Sequence, residues 1–510
     1  MISKLNSTSL SGIDGYIVNV ETDISSGLPG FDIVGLPDAA VKESKERIRA
    51  AIKNTGLTMP SKKITVNLAP ADVKKEGAHF DLPIALGILS ASGQFSVRDE
   101  GEYAFLGELS LDGELRRVSG VLPMVISAYQ SGIRRVFLPS ENAKEAAVIS
   151  GLEVYGAGSL AEILRHFTGD APIKPVSVDV DELFRRGGDH RLDFADVKGQ
   201  YFVKRALEVA AAGGHNLIMI GPPGSGKTMI AKRIPSILPD MTFEESLEVT
   251  KIHSISGALP ENSPLITVRP FRHPHHTISS VGLSGGGTHP KPGEISLSHN
   301  GVLFLDELPE FRRDALEVMR QPLEDGEITI TRAGGTVTYP CSIMLVASMN
   351  PCPCGYYGDP TRECTCSETQ ISRYISKISG PLLDRIDLHV EVPAVKYEDL
   401  ENKEKGESSA DIKARVDSAR RVQTARYAAD GIYSNSQLTP QLMSKYCVLD
   451  ADANELLKQA YETLGLSARA HNRILKVART IADLEGSADI SAEHIAEAIQ
   501  YRALDRKFFG

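Results

Sequence analysis

No stretch of this 510-residue sequence is both apolar and long enough to span a bilayer. The first residues, MISKLNSTSLSGIDGY, also lack the apolar core and the small-residue cleavage site of a secretory signal. These two absences argue against an integral membrane protein and against a secreted one. We therefore expect a cytoplasmic protein without a membrane partner.

Positive charge is not in excess either. The sequence carries 56 Lys and Arg residues against 66 Asp and Glu residues, which gives a formal net charge of -10. This balance argues against a protein that coats nucleic acid with its whole surface. It is compatible with a basic groove or pore in an otherwise acidic particle.

Cysteine is scarce, with six residues, yet four of them fall in the segment CPCGYYGDPTRECTC. In a reducing compartment such a cluster suggests a metal site sooner than disulfides. Two C-x-C pairs with Gly and Pro turns between them can supply four thiolates to a tetrahedral, structural Zn²⁺ site. Each pair is closer than the usual spacing of zinc ligands, so loop thiols without a metal are the alternative. The predicted zinc ligands are Cys352, Cys354, Cys364 and Cys366. Cys341 and Cys447 stand alone and are expected to be inert.

The chain is too long for one ordinary hydrophobic core, and its 42% hydrophobic and 24% charged fractions are those of a globular protein. We predict an α/β protein in four segments. A mixed α/β N-terminal domain occupies residues 1–168, and a linker with Pro and Gly occupies 169–192. A core with a parallel sheet follows in 193–395, and a helical region in 396–510.

Hydrophobic periodicity supports these assignments. Alternate residues of KITVNLAP are apolar, as in a half-buried strand, and the preceding segment has one apolar helical stripe that Gly56 can terminate. The C-terminal region has apolar residues at helical spacing, and Ser491 can cap its final helix. The residues that carry these three patterns are Ile64, Val66 and Leu68 for the strand, Val41, Ile48, Ala51 and Ile52 for the first helix, and Ile474, Val477, Ala478 and Ile481 for the C-terminal helix.

Three short runs between the helical segments are continuously apolar, namely Leu217–Ile220, Val302–Leu305 and Ile343–Ala347. Such runs predict buried strands of a parallel sheet that is covered by helices on both faces. Polar side chains that follow the carboxyl ends of these strands are expected to point into a ligand crevice.

The motif GPPGSGKT follows the first apolar run and precedes a predicted helix. Glycines let the backbone wrap closely around phosphates, and successive amide groups together with the helix N-terminus form an anion site. Lys227 is expected to reach the β- and γ-phosphates of ATP, and Thr228 to bind Mg²⁺. The predicted ATP-binding residues are Gly221, Pro222, Pro223, Gly224, Ser225, Gly226, Lys227 and Thr228.

The other two apolar runs deliver Asp306 with Glu307, and Asn350. We expect Asp306 to hold Mg²⁺ directly or through water, Glu307 to polarise the attacking water, and Asn350 to position that water. An acidic pair is ordinarily solvated surface, and an Asn after a strand is ordinarily a turn residue. The phosphate loop upstream favours the functional interpretation, which is an ATPase.

The order of these motifs, with Arg385 in GPLLDRIDL and Arg469 in LSARAHNRIL, resembles that of AAA+ ATPases. The resemblance implies that Arg385 reaches the ATP of a neighbouring subunit and that Arg469, on a helical lid, senses the γ-phosphate. Both would neutralise charge on the transferred phosphoryl group. A buried structural ion pair is the alternative for each arginine, and Arg373 is a rival finger. A finger supplied in trans requires a head-to-tail interface that closes into a ring, and the resemblance implies a hexamer.

The segment PFRHPHHTISSVGLSGGGTHPKPGEISLSHNGVLFLDELPEF is similar to the signature of magnesium-chelatase-like AAA+ proteins. The whole chain resembles the YifB/ComM group of that family. The resemblance implies a P-loop AAA+ α/β core with a parallel sheet and a C-terminal helical lid. It also implies a ring motor that depends on DNA, with branch migration of recombination intermediates as the activity of the ComM members.

The segment EITITRAGGTVTYP predicts a β-hairpin with Arg332 near its tip. Related AAA+ helicases project a hairpin at this point into the central pore, so Arg332 is expected to track the phosphates of single-stranded or branched DNA. An ordinary surface hairpin is the alternative. Arg272 and Lys291, in the insert before the acidic strand, are expected to contact DNA or to pack between subunits. The neighbouring histidines lack a carboxylate at a spacing that would favour a metal site; they are His273, His275 and His276.

The segments GEYAFLGELSLDGELRRVSGVLP and SGIRRVFLP resemble the proteolytic domain of Lon, which uses a serine activated by a lysine. His79 stands at about the position of the serine, and Leu122-Pro123-Met124 stands where the lysine is expected. Residues 1–168 are therefore expected to form a Lon-like α+β domain without peptidase activity.

These expectations combine into an ATP-dependent, ring-shaped DNA motor. It would act as a helicase or branch-migration enzyme on recombination intermediates, as in natural transformation. The alternative is an ATP-driven motor that remodels proteins or inserts a metal in the manner of magnesium chelatase, because the ATPase signature is shared. A protease is disfavoured by the missing serine and lysine.

Overall fold

The computed structural model describes residues 2–97, 99–187, 192–260, 263–287, 290–332, 335–360, 362–394, 406–464, 466–504 and 508. The chain forms two compact units. The first contains Met1–Arg186 and Ser246–Ile266, and the second contains Gly187–Glu245 and Thr267–Gly510.

The first unit combines nine strands with helices. Its strands are β1 (Ile2–Ser11), β2 (Asp14–Ser25), β3 (Gly30–Val34), β4 (Lys63–Ala69), β5 (Tyr103–Phe105), β6 (Glu108–Leu109), β7 (Leu115–Arg116), β8 (Arg135–Pro139) and β9 (Glu153–Ala157). Its helices are α1 (Ala39–Asn54), α2 (Asp81–Ala91), α3 (Val121–Gln130), α4 (Ala143–Ala146), α5 (Leu160–Thr168) and α6 (Val180–Gly187).

Seven of these strands form one mixed sheet in the order β3-β4-β2-β1-β5-β8-β9. The pairs β1–β2 and β2–β4 are antiparallel, whereas β3–β4, β1–β5, β5–β8 and β8–β9 are parallel. Helix α2 is buried along almost its whole length, because apolar residues occupy all of its faces. The mixed α/β character predicted for the N-terminal segment is confirmed.

The predicted strand and first helix of this unit are confirmed in detail. Alternate residues of β4 are buried, and α1 buries the four apolar residues of its predicted stripe. Helix α1 begins because the side chain of Asp38 accepts a hydrogen bond from the amide of Val41, and it ends where Gly56 adopts a φ of 80°.

The remaining part of the first unit comes from later in the chain. Helix α9 (Phe243–Ser256) begins in the second unit and continues in the first, where the amide of Gly120 donates to the carbonyl of Ser254 at 3.0 Å. The Ser254 hydroxyl donates to the carboxylate of Glu145, and Arg117 donates to the carbonyl of Leu259 at 3.1 Å. These long-range hydrogen bonds bind the segment Ser246–Ile266 to the first unit.

The described residues of the second unit form nine strands and most of the helices. Its strands are β10 (Leu217–Ile220), β11 (Phe271–Arg272), β12 (Gly285–Gly286), β13 (Lys291–Pro292), β14 (Val302–Leu305), β15 (Glu327–Arg332), β16 (Gly335–Pro340), β17 (Met344–Met349) and β18 (Leu388–Glu391). The helices up to β18 are α7 (Tyr201–Gly213), α8 (Lys227–Ala231), α9 (Phe243–Ser256), α10 (Ser280–Ser284), α11 (Glu294–Leu297), α12 (Arg313–Glu317), α13 (Pro322–Asp325), α14 (Glu368–Ile375) and α15 (Gly380–Leu383). Those that follow are α16 (Ser409–Arg426), α17 (Pro440–Tyr446), α18 (Ala451–Leu464), α19 (Ala468–Leu484) and α20 (Ala492–Gln500).

The sheet of the second unit is parallel throughout, in the order β11-β14-β17-β10-β18. All residues of β10, β14 and β17 are buried, as the continuous apolar runs predict. Two of the three predicted strands have the observed bounds, and the third begins one residue later and ends at Met349. The predicted parallel sheet is therefore confirmed.

The C-terminal helices pack into the same hydrophobic core as this sheet. Ile474, Val477, Ala478 and Ile481 of α19 are buried and join the cluster that contains the strands β10 and β14. Ser491 begins α20 in a capping box with His494. The predicted helical C-terminal region is confirmed.

The two compact units do not coincide with the predicted segments. Residues 246–266 group with the first unit, and no division falls near residue 396. The four-part division into 1–168, 169–192, 193–395 and 396–510 therefore stays a prediction. Among the described residues, no helix is long and apolar enough to cross a membrane. The cytoplasmic location also stays a prediction.

Asp483 generates a prediction about stability. Its buried carboxylate accepts hydrogen bonds from Arg426 at 2.6 Å and from Nε of Arg479 at 3.1 Å, and it binds the side-chain amide of Asn435 at 2.9 Å. Asp483→Ala leaves two guanidinium groups without this carboxylate, so we expect a loss of about 3–5 kcal/mol in the free energy of unfolding. Because the sequence has no tryptophan, circular dichroism during urea unfolding is the suitable measurement.

The matched control is Asp489→Ala, since Asp489 is exposed on the same C-terminal region. That variant should change the free energy of unfolding by less than about 0.5 kcal/mol. Equal unfolding midpoints for the two variants would contradict the role assigned to Asp483.

Candidate functional site

The sequence-predicted ATPase residues meet at one edge of the parallel sheet. The phosphate loop follows β10, Asp306 and Glu307 follow β14, and Asn350 follows β17. These three strands are neighbours, with β17 in the middle. Their carboxyl ends border a cavity of about 430 Å³, which the phosphate loop, Asp306, Glu307 and Asn350 line together. The sheet therefore brings all three predicted motifs into one crevice.

The phosphate loop has the backbone conformation that its glycines permit. Gly224 and Gly226 adopt φ values of 79° and 88°, a left-handed region that favours glycine. Helix α8 begins immediately afterwards at Lys227. The loop thus presents backbone amides and a helix start to the cavity, which is the geometry that binds phosphate.

The ammonium of Lys227 lies inside this loop. Its Nζ donates to the carbonyls of Gly221 at 2.8 Å and Pro222 at 3.0 Å, and to Oδ1 of Asn350 at 3.2 Å. Burial lowers the pKa of Lys227, while the negative charges of Asp306 and Glu307 oppose that shift. Lys227 therefore links the phosphate loop to Asn350, the residue that follows β17.

The two predicted Mg²⁺ ligands touch each other. The Thr228 hydroxyl donates to Oδ2 of Asp306 at 2.6 Å. A third residue, Ser348, donates to the other carboxylate oxygen of Asp306. The sequence analysis missed Ser348, although it lies two positions before Asn350 and strand alternation places both on one side of β17.

Glu307 has an unusual backbone, with a φ of 54° in the left-handed region. Its amide donates to Oδ1 of Asp306 at 3.1 Å, and its carboxylate lies 3.4 Å from Nδ1 of His276. A non-glycine residue in this region is strained by roughly 1–3 kcal/mol and is typical of functional sites. The contact with His276 holds the carboxylate against the insert that precedes β14.

The histidines of that insert contact different neighbours. The ring of His273 packs against Phe304 at 4.8 Å, and His275 contacts the Thr277 hydroxyl at 2.9 Å. Among the described residues, the four cysteines form the one group of His, Cys, Asp and Glu side chains that meets the geometric requirement for a metal. The insert histidines therefore do not form a metal site in the described part of the chain.

Arg385 and Arg469 line a different cavity, of about 550 Å³. Arg385 pairs with the carboxylate of Glu324 and donates to the carbonyl of Pro381 at 2.6 Å. Arg469 pairs with Asp384 at 3.2 Å. Neither arginine lines the cavity at the phosphate loop of its own chain. Both arginines form ion pairs, but the pair of Arg469 is exposed and not buried. The predicted roles in ATP hydrolysis stay predictions.

The rival arginine, Arg373, lies exposed on α14. It does not line either of these two cavities.

The hairpin β15–β16 has the predicted register, in which Arg332 faces Gly335 at the tip. Arg332 is exposed, and a β-carbon at Gly286 would lie 3.3 Å from its Nη2. Gly286 pairs in turn with the exposed Lys291 in the small sheet β12–β13. Arg332 and Lys291 therefore lie on one surface, which we call the basic hairpin surface. The turn residues Ala333 and Gly334 lie outside the described residues.

Arg272 is placed differently from the other two predicted DNA contacts. Its Nε and Nη2 bind the two carboxylate oxygens of Glu294 at 2.6 and 2.7 Å. This two-fold ion pair raises the pKa of Arg272, and it occupies the guanidinium edge that a phosphate would use. The predicted DNA contact of Arg272 and the alternative of packing between subunits both stay predictions.

The four clustered cysteines converge. Their sulfur atoms all lie within 4.8 Å of one another, with Cys352 and Cys354 at 3.7 and 3.6 Å from Cys364. The amide of Cys354 donates to the sulfur of Cys366 at 3.4 Å. Four sulfurs at about 2.3 Å from a tetrahedral Zn²⁺ lie about 3.8 Å apart, so the arrangement fits that ion.

The two isolated cysteines differ from this cluster. Cys341 and Cys447 are buried, and burial raises the pKa of Cys341 to about 12 and that of Cys447 to about 11. Neither thiol is ionised near neutral pH, in keeping with the expected inertness.

In the first unit, the positions at which Lon-like enzymes carry a catalytic serine and lysine hold other residues. His79 is buried, and burial lowers its pKa to about 4. Leu122, Pro123 and Met124 are buried on α3. These positions serve packing.

Comparison with protein families gives matches along most of the chain. The family described as magnesium chelatase, subunit ChlI, matches residues 193–400. Subunit ChlI of Mg-chelatase matches residues 20–142, and the ChlI C-terminal family matches residues 406–502.

Individual relatives match over nearly the full length. Competence protein ComM of Haemophilus influenzae is 45% identical over 500 residues, which cover 97% of this chain and 96% of that protein. The uncharacterized protein YifB of Escherichia coli is 43% identical over 507 residues, covering 99% and 98%. The peroxisomal Lon protease homolog 2 of Oryza sativa is 29% identical over 180 residues, or 32% of this chain, so the Lon-like similarity is partial. The chain belongs to the ComM/YifB family of magnesium-chelatase-like AAA+ proteins.

Proposed function

We propose that this protein is an ATP-driven ring motor that acts on DNA, as a helicase or branch-migration enzyme on recombination intermediates. The observation that carries the proposal is the meeting of the phosphate loop, the Asp306–Glu307 pair and Asn350 at one crevice of the parallel sheet. The relative in Haemophilus influenzae is a competence protein, and we extend that link to DNA taken up in natural transformation.

ATP binds at the phosphate loop in this proposal. The loop amides and Lys227 hold the phosphates, while Thr228 and Asp306 hold Mg²⁺. The ion neutralises charge on the phosphates. Glu307 polarises the attacking water, and Asn350 orients it while remaining bonded to Lys227. Glu307 borders this cavity while its carboxylate contacts His276.

In this proposal the protein acts as a homo-oligomer, and the family resemblance implies that it is a hexamer. Arg385 and Arg469 line a cavity separate from the phosphate loop of their own chain. They can therefore complete an ATP site when that site belongs to a neighbouring subunit. Head-to-tail repetition of such a contact closes into a ring.

DNA contacts this ring through the basic hairpin surface. Arg332 and Lys291 are exposed there, and the structure gives neither a carboxylate partner among its described residues. With a net charge of -10 on the chain, phosphate binding must be confined to such a local surface. Single-stranded or branched DNA in the central pore is the proposed ligand.

The four clustered cysteines hold a structural Zn²⁺ in this proposal. The support is the convergence of the four sulfurs at the spacing that tetrahedral zinc requires. Since four thiolates fill the coordination shell, the ion is structural and does not take part in the reaction.

A motor that remodels proteins or serves metal insertion is the second candidate. It is favoured by the family matches to the ChlI subunit of magnesium chelatase, which cover the ATPase core. The two candidates are separated by ATPase measurements with single-stranded, duplex and branched DNA side by side. Stimulation by DNA supports the first, whereas stimulation by unfolded protein without a DNA effect supports the second.

Glu307→Gln tests the assignment of the water-polarising carboxylate. We expect kcat for ATP to fall about 100-fold or more, since a general base is lost, while nucleotide affinity is kept. Steady-state ATPase assays and binding of a fluorescent ATP analogue measure the two quantities. Glu310→Gln is the control. Glu310 lies three residues after Glu307, is exposed and pairs with Lys377. Full turnover in Glu307→Gln refutes the assignment.

Arg385→Ala tests action in trans. The variant should bind ATP normally but hydrolyse it about 1,000-fold more slowly, because the finger arginine is missing. Mixing it with Lys227→Ala subunits should restore part of the ATPase activity, since mixed rings contain intact sites. Absence of any rescue in rings that do mix contradicts a role in trans.

Arg332→Ala and Lys291→Ala test the basic hairpin surface. Each should weaken binding to DNA of any sequence and lower the slope of log affinity against log salt by about one. Arg421→Ala, which removes an exposed arginine from α16, is the matched control and should leave the slope unchanged. Unaltered DNA binding in both hairpin variants would place the DNA contact elsewhere.

A further inference from the structure

The cysteine cluster lies directly against the phosphate loop. Gly355 follows Cys354, and its backbone adopts a φ of 87°. A β-carbon at this position would lie 2.4 Å from Cδ and 2.7 Å from Cγ of Pro223, the third residue of the phosphate loop. No side chain fits between Gly355 and the ring of Pro223, so the position requires glycine for both its conformation and its space.

The turn that makes this contact is built from the cluster itself. The amide of Gly355 donates to the carbonyl of Cys352 at 3.0 Å. Cys352 and Cys354, on either side of the turn, direct their sulfurs toward Cys364. The placement of Gly355 against Pro223 therefore follows from the placement of the sulfurs.

The same segment is joined to the site at its other end. Cys352 is buried two residues after Asn350, which accepts a hydrogen bond from Lys227. The phosphate loop is thus contacted twice by one short stretch of chain. Asn350 contacts it through Lys227, and Gly355 contacts it through Pro223.

Four converging thiols have little to hold them together without an ion. Their thiolates repel one another, whereas a soft divalent cation bound by all four fixes both C-x-C pairs in one arrangement. The phosphate loop, by contrast, contains glycines in left-handed conformations and has several backbone conformations available. A neighbour that is fixed by metal ligation limits that freedom.

We propose that metal bound at the four-cysteine site positions the phosphate loop through the contact between Gly355 and Pro223, so that ATP binding depends on metal occupancy. The four cysteines would hold an ion of the Zn²⁺ class, which would fix the two C-x-C pairs in one arrangement. Gly355 is a positioning residue in this arrangement. The inference rests on the proposed ATPase function.

The test uses the full-length chain and measures bound zinc and ATP affinity separately, without DNA. Cys364→Ser should lose zinc and bind a fluorescent ATP analogue about tenfold more weakly, if the ligand set holds the loop. Gly355→Ala keeps all four cysteines, so it should retain zinc. Its new β-carbon overpacks Pro223 and should weaken ATP binding by about tenfold.

Two further variants separate positioning from general damage. Gly431→Ala introduces the same backbone strain at a φ of 69° but meets no atom within 4 Å, so its ATP affinity should equal that of the natural sequence. In the double variant Gly355→Ala/Pro223→Ala the proline ring is removed. We therefore expect ATP affinity to recover to that of Pro223→Ala alone.

The inference is overturned if the purified protein carries no metal, if Cys364→Ser loses zinc without a change in ATP affinity, or if Gly355→Ala matches Gly431→Ala. Failure of the proposed function gives a different result. In that case Lys227→Ala binds the ATP analogue as well as the natural sequence does, whatever the zinc content.

Discussion

Parallel pairing of β17 between β10 and β14 is the constraint on which the candidate site depends. Ile220 lies opposite Met349, and Leu305 lies opposite Ala347, so the three strands end at nearly the same level. The phosphate loop, the acidic pair and Asn350 therefore begin within a few residues of one another in space. A slip of one residue in either register would turn the side chains at these strand ends to the opposite face. Because each strand is buried on both faces, the apolar core fixes the register strongly.

The polar groups at this edge stabilise one another because the core below offers them no partner. Lys227 is buried, and burial disfavours its charge, yet two loop carbonyls and Asn350 accept its hydrogen bonds. Asp306 is likewise satisfied by Thr228 and Ser348. Glu307 is the exception, since its carboxylate is exposed and its backbone is strained. Strained backbone of this kind is typical of functional sites.

Local patterns in the sequence predicted the phosphate loop, the buried strands, the hairpin register and the cysteine cluster, because each depends on neighbours within about fifteen residues. Contacts between distant segments could not be predicted in this way. Arg272 pairs with Glu294, Glu307 contacts His276, and Gly355 packs on Pro223, and in each case the partner is set by the folded sheet. Ser348 could have been predicted from the sequence, since it lies two positions before Asn350 and strand alternation places the two on one side. The separation of Arg385 and Arg469 from the phosphate loop of their own chain also follows from tertiary packing.

The distribution of ion pairs is what the proposed binding of DNA by an acidic chain depends on. Arg272, Arg385 and Arg469 are each held by a carboxylate, which cancels their charge locally. Arg332 and Lys291 have no such partner among the described residues, and both border Gly286 on the basic hairpin surface. Because screening at physiological salt limits electrostatic effects to about 8 Å, a phosphate near this surface responds to these two charges and hardly to the net charge of the chain. Phosphate contacts at a surface of this kind are independent of sequence, which is what the proposed DNA motor requires.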